Sequence, residues 1–381
     1  MKFTANRDVL SDAVSFAVKL LPQRTTLPIL SGILVRATEG WVSLSSFDYE
    51  VSSQTEIDAD VSESGVVLVS GRLLSEIVSK LPNAPVRFST EDNKVTVSCG
   101  SASFTLLAMP VEEYPTLPQI GAPSGVVPAD AFAEAVAQVG VAASRDDVTP
   151  VITGVQLEIS ETSLGFVATD RYRVAVREID WDGSSSGTTA ATAIVPARTL
   201  QEVGRTLGHA GRIQVTFQSG GDRELIAFTG DKKTVTSLLI KGNFPPVRRL
   251  FPESVDNYAV VNTADLIDAT RRVQIVLERE AALRYSFTQD GLMLEAIGGE
   301  QAQASESIDA LLTGDDTVVS LKPQFLLDGL SAVHSEFVRI SFTKTDNPNK
   351  PGPVLITSQT SREQTDSDSY RYLLQPNLLL R

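Results

Sequence analysis

One amphipathic segment occurs three times in this chain at a constant interval: residues 69–81 (VSGRLLSEIVSKL), 195–207 (VPARTLQEVGRTL) and 321–333 (LKPQFLLDGLSAV), each starting 126 residues after the last. A fixed period constrains a fold more than local propensity does, because every copy must build the same supersecondary unit. Apolar residues keep their offsets, Leu74/Leu200/Leu326 and Leu81/Leu207/Val333, with Ile77 and Val203 between them and Gly329 the one departure. That spacing is one buried stripe on a helix. Ser70, Pro196 and Pro323 stand where helix starts favour a capping hydroxyl or a proline.

A second helical family precedes these segments at 7–21, 129–145 and 264–280, with Leu10/Val14, Phe132/Val136 and Leu266/Thr270 in register. Short alternating or apolar runs follow the helices, such as Ile33-Leu34-Val35-Arg36, Gly154-Val155-Gln156-Leu157-Glu158-Ile159 and Val338-Arg339-Ile340-Ser341-Phe342. They read as antiparallel strands. The expected fold is α+β, three repeated domains each with two helices packed on antiparallel sheets. Pro-rich stretches at 115–128 and 243–252 mark the joints and predict domains at 1–120, 121–250 and 251–381.

The formal charge of −14 argues against a nucleic-acid partner only if it is spread evenly. It is not. The six helical segments sum to zero, so the whole deficit lies in sheets and loops. Helices facing phosphate and sheets facing water would suit that pattern. Arg24, Arg72, Lys80, Arg145, Arg198, Arg205, Arg271, Arg272 and Lys322 are the candidate phosphate contacts, and nothing in their arrangement reads bases.

Catalytic patterns are missing. Neither a phosphate-binding G-x-x-x-x-G-K-[ST] loop nor H-E-x-x-H occurs, and the G-x-S-x-G match at Gly183–Gly187 lies in a low-complexity loop. One cysteine, Cys99, and two histidines, His209 and His334, leave no material for a zinc site or a Cys/His nucleophile, so no metal and no cofactor is expected. Cys99 is expected in a core and both histidines at helix ends. The acidic pairs Glu112-Glu113, Asp146-Asp147 and Asp315-Asp316 fall in predicted turns. No apolar run reaches the length of a membrane span, and Met1-Lys2-Phe3-Thr4 lacks the tiers of a signal peptide. A cytoplasmic, non-catalytic protein without a membrane partner is the expectation.

Six pieces together carry a resemblance: Leu27-Pro28-Ile29-Leu30-Ser31-Gly32, Phe47-Asp48-Tyr49-Glu50, Val69-Ser70-Gly71-Arg72-Leu73-Leu74, Pro110-Val111-Glu112-Glu113-Tyr114-Pro115, Ala168-Thr169-Asp170-Arg171-Tyr172-Arg173, and Asn243-Phe244-Pro245-Pro246-Val247-Arg248-Arg249-Leu250-Phe251-Pro252. End to end, the chain resembles the bacterial sliding clamp, the beta subunit of the replicative DNA polymerase III. Its preference for Arg, Ala and Val looks like the actinobacterial branch.

The resemblance implies a ring-forming, head-to-tail homodimer that encircles duplex DNA without sequence preference, opened by a clamp loader and lending processivity to the replicative polymerase. It implies closure through Phe104 and Leu106 with Ile275 and Val276 nearby. It also implies a pocket for polymerases and other clamp-binding-motif proteins, built from Ile152, Thr169, Arg171, Tyr172, Arg173, Val174, Pro245, Arg249 and Leu250 with the C-terminal Leu373, Leu374, Gln375, Pro376, Asn377 and Leu378.

That family's last strand carries a methionine where this chain has Gln375 and an apolar residue where it has Asn377. Methionine is an adaptable gap-filler, whereas a buried glutamine amide needs a partner. Two alternatives therefore stay open: a specialised second clamp, with a pocket retuned against a cyclic-peptide natural product, and a repeat-built interaction scaffold that never encircles DNA.

Overall fold

The computed structural model describes residues 1–22, 25–183, 191–218, 223–278, 280–296, 302–345, 351–363 and 369–378. Both helical families are present. The α-helices are α1 Arg7–Lys19, α2 Gly71–Val78, α3 Ala129–Gly140, α4 Ala197–Leu207, α5 Thr263–Val273 and α6 Pro323–Ser331. Asn6 caps α1 through the N–H groups of Asp8 and Val9 at 2.9 and 3.2 Å. Asn262 caps α5 through Asp265, Ser70 accepts from Leu73 at the start of α2, and Pro323 opens α6.

The repeated helices are shorter than their sequence pattern predicts. Residues 69–70, 195–196 and 321 instead end the strands Gly65–Ser70, Ala191–Pro196 and Thr317–Leu321. Each of these strand ends is held in a ladder, by Gly32↔Ser70, Gly154↔Pro196 and Leu283↔Leu321. A strand thus runs straight into each helix, and its last inward residue continues the apolar stripe. Helix α3 stops at Gly140 rather than 145, and α5 gives way to a single 3-10 turn, Gln274–Val276, rather than reaching 280.

The chain divides into two compact units. Unit 1 comprises Met1–Ala133, Trp181–Thr188 and Arg198–Leu239; unit 2 comprises Glu134–Asp180, Thr189–Ala197 and Ile240–Arg381. All strand pairs in the four sheets are antiparallel. In unit 1 a nine-stranded sheet forms because Lys233–Leu238 pairs with Val51–Asp58, Lys233 opposite Thr55 and Ser237 opposite Val51. In unit 2 a second nine-stranded sheet forms in the same way, Arg371–Leu374 pairing with Arg173–Asp180. These joints link strands far apart in sequence, which is why compact units cut across the period of the repeat. Five strands make the other sheet of unit 1 and four make the other sheet of unit 2.

An apolar cluster of unit 1 packs Leu10, Val14, Leu74 and Val78 from α1 and α2 on strand residues such as Val35, Leu44, Phe88 and Val97. Cys99 belongs to it, 1% exposed, its Sγ 3.2 Å from the carbonyl oxygens of Pro82 and Ala84. His209 is exposed, and so is His334, which shares a 2.6 Å hydrogen bond with Glu134. Glu112 and Glu113 belong to a 3-10 turn, and the other acidic pairs lie in loops, Asp147 in a turn and Asp315 in a bend. Ser184–Gly187 lie outside the described residues.

The joint of unit 1 is braced by Tyr114, whose Oη accepts the N–H of Phe47 at 2.7 Å. Burial, partly offset by that hydrogen bond, pushes the phenol up to about 12. An unfolded tyrosine sheds its proton near pH 10 while folded Tyr114 keeps it, so the stability it contributes is full below pH 10 and is lost as pH rises toward 12. Tyr114→Phe leaves the Phe47 N–H without its acceptor. We expect a cost of about 1–3 kcal/mol at neutral pH and a smaller alkaline loss than in the parent, read by urea titrations at pH 7 and pH 11.

Candidate functional site

The site grows from a turn in unit 2. Asp170 follows the strand Ser163–Thr169, and its Oδ1 accepts the N–H groups of Tyr172 and Arg173 at 3.0 and 3.1 Å. Closing so tight a turn puts Arg171 at φ +78°, a left-handed conformation uncommon outside glycine, asparagine and aspartate. Tyr172 is thereby driven outward, 60% exposed, with its ring against Phe325 at 6.0 Å between centroids. It is not a core residue. Arg171 reaches back to the hydroxyl of Thr149.

The C-terminal strand completes the wall. Leu373 lies opposite Val174, and the Gln375 N–H donates to the Tyr172 carbonyl at 2.9 Å. Buried Val174, Val247 and Leu373 share an apolar cluster with Val167, Val176 and Leu355, and Phe244 and Phe251 pack against it. Between these walls opens a cleft of about 470 Å³. Its floor is aliphatic, and the Gln375 amide at its edge donates to the Pro351 carbonyl at 3.2 Å. The half-buried glutamine therefore has the partner that its amide requires.

Arg173 acts as a strut beneath the turn. Its guanidinium is 7% exposed, bonded to Asp170 at 3.0 Å, Asp328 at 2.6 Å and the Tyr372 hydroxyl at 3.1 Å, and lies 4.4 Å from the Phe325 ring centroid. Burial opposes the charge, but Tyr372 and the two carboxylates hold it well above the ordinary arginine range. Burial likewise pushes the Tyr372 phenol up against the pull of Arg173. A more polar cavity of about 860 Å³, bordered by Arg145, Asp146, Phe325 and Asp328, shares Arg171, Tyr172 and Arg173 with the first.

Ile152, Thr169, Arg171, Tyr172, Arg173, Val174, Pro245, Leu250, Leu373 and Gln375 all line the cleft. Five residues named from the sequence do not. Arg249 is exposed on the 3-10 turn Val247–Leu250, Leu374 is 1% exposed in the core, Pro376 is buried, Asn377 bridges to Ser320, and Leu378 is 66% exposed. In an extended segment alternate side chains point away from any one wall. Thr149, Val151, Asn243, Val247 and Pro353 line the cleft unforeseen, mostly from loops that carry no periodicity.

Among the basic residues, Arg72, Lys80, Arg145, Arg198, Arg205, Arg271 and Arg272 are exposed, and Arg24 lies outside the described residues. Several are already engaged: Arg72 with Glu76, Arg205 with Glu202, and Arg272 with both oxygens of Glu306 at 3.0 and 2.5 Å. Lys322 bonds Glu280 at 2.9 Å and lies over the Phe325 ring beside the cleft. Phe104 and Ile275 are exposed, 38% and 78%, and Val276 is half-buried. Leu106 is 3% exposed within its own core, so only its backbone lies at the sheet edge; the exposed leucine there is Leu107.

Three consecutive family models match the chain: the DNA polymerase III beta subunit N-terminal domain over residues 1–118, its central domain over 126–246 and its C-terminal domain over 248–363. The chain belongs to the DNA polymerase III beta subunit family. It is 44% identical to the beta sliding clamp of Streptomyces coelicolor over 99% of both chains, and 37% identical to the beta sliding clamp homolog GriR of Streptomyces muensis over the same shares. A crystal structure of the Pseudomonas aeruginosa sliding clamp bound to griselimycin matches with a TM-score of 0.90, 26% identity and full coverage of both chains. Sliding-clamp function in DNA replication, as a processivity factor, follows from this membership. Among the described residues no helix is long and apolar enough to cross a membrane, and no cluster of side chains is suited to a metal.

Removing one partner of a buried guanidinium costs more than the pair contributes. Asp328→Ala is expected to destabilise unit 2 by about 3 kcal/mol and to lower the urea midpoint of unfolding followed by circular dichroism, while Gln324→Ala, which removes only an exposed 2.8 Å hydrogen bond to Asp328, lowers it far less.

Proposed function

We propose that two copies of this chain close head to tail around duplex DNA, and that the cleft of unit 2 docks short peptide segments of polymerases and other partners. The domains are proposed at 1–120, 121–250 and 251–381. The observation that carries the ring is an incomplete pattern. In two of the three repeats the last strand finds a partner within the chain, Lys233–Leu238 on Val51–Asp58 and Arg371–Leu374 on Arg173–Asp180. Its first-repeat counterpart, Ala102–Leu107, ends the five-stranded sheet, and the corresponding acceptor of the third repeat, Ala304–Ile308, ends the four-stranded one. Unpaired edges of this kind associate unless blocked, and a head-to-tail pairing repeated twice closes a ring.

The register follows from the repeat. The hairpins Gly230↔Lys233 and Cys99↔Ala102 make Ala102 the counterpart of Lys233. Likewise Ser46↔Ser53 and Ala296↔Ala304 make Ala304 the counterpart of Ser53. Ser103 then faces Ser305 of the second copy, and exposed Phe104 seats in the intermolecular seam near α2. Weak contacts from Arg72, Lys80, Arg145, Arg198, Arg205 and Arg271 would hold the DNA loosely enough to slide, with Arg24, Arg272 and Lys322 as further candidates. Such a protein needs no catalytic group and no cofactor, acts in the cytoplasm, and requires a clamp loader to open it.

Gln375 carries a second reading, a specialised clamp with a pocket retuned toward or against a cyclic peptide such as the griselimycin held by the Pseudomonas clamp. The greater identity to the Streptomyces coelicolor clamp than to GriR favours the replicative role.

The ring is tested with Ser103→Cys and Ser305→Cys in one chain, since Cys99 is too buried to compete. Mild oxidation is expected to give a covalent dimer of about twice 40.9 kDa, retained on circular but not linear DNA after closure; neither single variant cross-links. A monomer that yields no cross-link sinks the ring reading in favour of a scaffold. For the cleft, Gln375→Met is expected to change the affinity for a clamp-binding peptide and for griselimycin by at least a few-fold, read by calorimetry; identical affinities end the retuned-pocket reading.

A further inference from the structure

We infer that unit 1 carries a second peptide-binding cleft, the repeat counterpart of the one in unit 2, suited to an extended segment with an apolar anchor beside a carboxylate. The peptide class rests partly on the reading of unit 2; the cleft itself does not. It measures about 360 Å³ and lies entirely within unit 1.

The two clefts are built by the same local chemistry. Asp48 Oδ1 accepts the N–H groups of Glu50 and Val51 at 3.0 and 2.7 Å, as Asp170 does for Tyr172 and Arg173. Tyr49 takes φ +74° where Arg171 takes +78°. The Leu238 N–H donates to the Glu50 carbonyl at 2.8 Å, matching Gln375 to Tyr172 at 2.9 Å. Pro115 stands where Pro245 stands on the opposite wall. The turn, the strand joint and the proline wall therefore recur together, and the hollow between them recurs with them.

What differs points to the occupant. Phe47 and Leu225 give a floor 8% and 7% exposed, and Leu238 replaces Gln375, so this cleft lacks the amide found in unit 2. Tyr49 stands over it, 43% exposed. Arg223 is exposed on the rim and pairs with no carboxylate among the described residues, and with Glu50 it leaves the rim neutral in a chain of charge −14. An acidic segment repelled by the average surface meets the exposed Arg223 guanidinium here. Along the wall, the N–H groups of Thr116 and Leu117 donate to no protein group among the described residues. Free backbone donors beside an apolar hollow are what an extended peptide pairs with, its side chain filling the hollow. In unit 2 the matching wall is curled into the 3-10 turn Val247–Leu250.

The probe is acetyl-Asp-Leu-Phe-amide carrying 4-fluorophenylalanine, titrated against the full chain by fluorine NMR. Exposed rim positions give variants that fold: Leu250→Asp disables unit 2, while Thr116→Trp and Arg223→Glu act on unit 1. Two peptides should bind each wild-type chain and one should bind Leu250→Asp. In that background, adding Thr116→Trp or Arg223→Glu should weaken the remaining site at least ten-fold. The lysine analogue of the peptide should bind the Arg223→Glu chain more tightly than it binds the chain with Arg223. One peptide per wild-type chain and none on Leu250→Asp overturns the second cleft and leaves unit 2 as proposed. No binding to any chain overturns both. Residual binding indifferent to both rim variants overturns the location.

Discussion

One strand pairing holds each unit together, Lys233–Leu238 on Val51–Asp58 in unit 1 and Arg371–Leu374 on Arg173–Asp180 in unit 2. Neither half of a nine-stranded sheet has a local route to the other, so each joint closes a long loop for the sake of a few ladder bonds and the side chains they bury. The benefit is continuity: one sheet, with its apolar face covered, in place of two exposed edges. The unmatched partners of this pattern are left at the sheet ends Ala102–Leu107 and Ala304–Ile308, the edges through which the proposed ring would close.

The joint makes the cleft. A strand that ends against a neighbouring turn must leave space where its last side chains diverge, and the Asp170 turn holds that space open by fixing Arg171 in a left-handed conformation. Arg173 then fills the underside, its charge shared among Asp170, Asp328 and Tyr372. A buried arginine with three partners is stiff, so the aliphatic floor above it is presented without needing to reorganise. The joint of unit 1 lacks this strut and relies on Tyr114 and the N–H of Phe47.

Membership of the sliding clamps agrees with the distribution of charge. Helices that sum to zero in a chain of −14 give a surface neither strongly attractive nor strongly repulsive to phosphate. Several of the basic side chains are half neutralised by their own carboxylates, Arg72 by Glu76 and Arg272 by Glu306. In the proposed ring such side chains would hold DNA weakly, and topological closure would remove the need for more.

From the sequence alone came the period, the six helices and the motifs at Asp48 and Asp170, because apolar stripes and turn residues are local properties written at fixed spacing. The sequence also marked Gln375 as the unusual residue of the cleft. It could not show that Val69, Val195 and Leu321 end strands, since an inward strand residue and the first turn of an apolar stripe look alike until a neighbouring strand claims one of them. Nor could it separate Leu373, on the cleft wall, from Leu374, in the core, or reveal Pro353 and Thr149 on the rim. Those depend on which strand pairs with which and in what register, and a one-residue change of register would reverse every side chain. Pairings between residues nearly two hundred positions apart are decided by the tertiary fold, and they created both clefts.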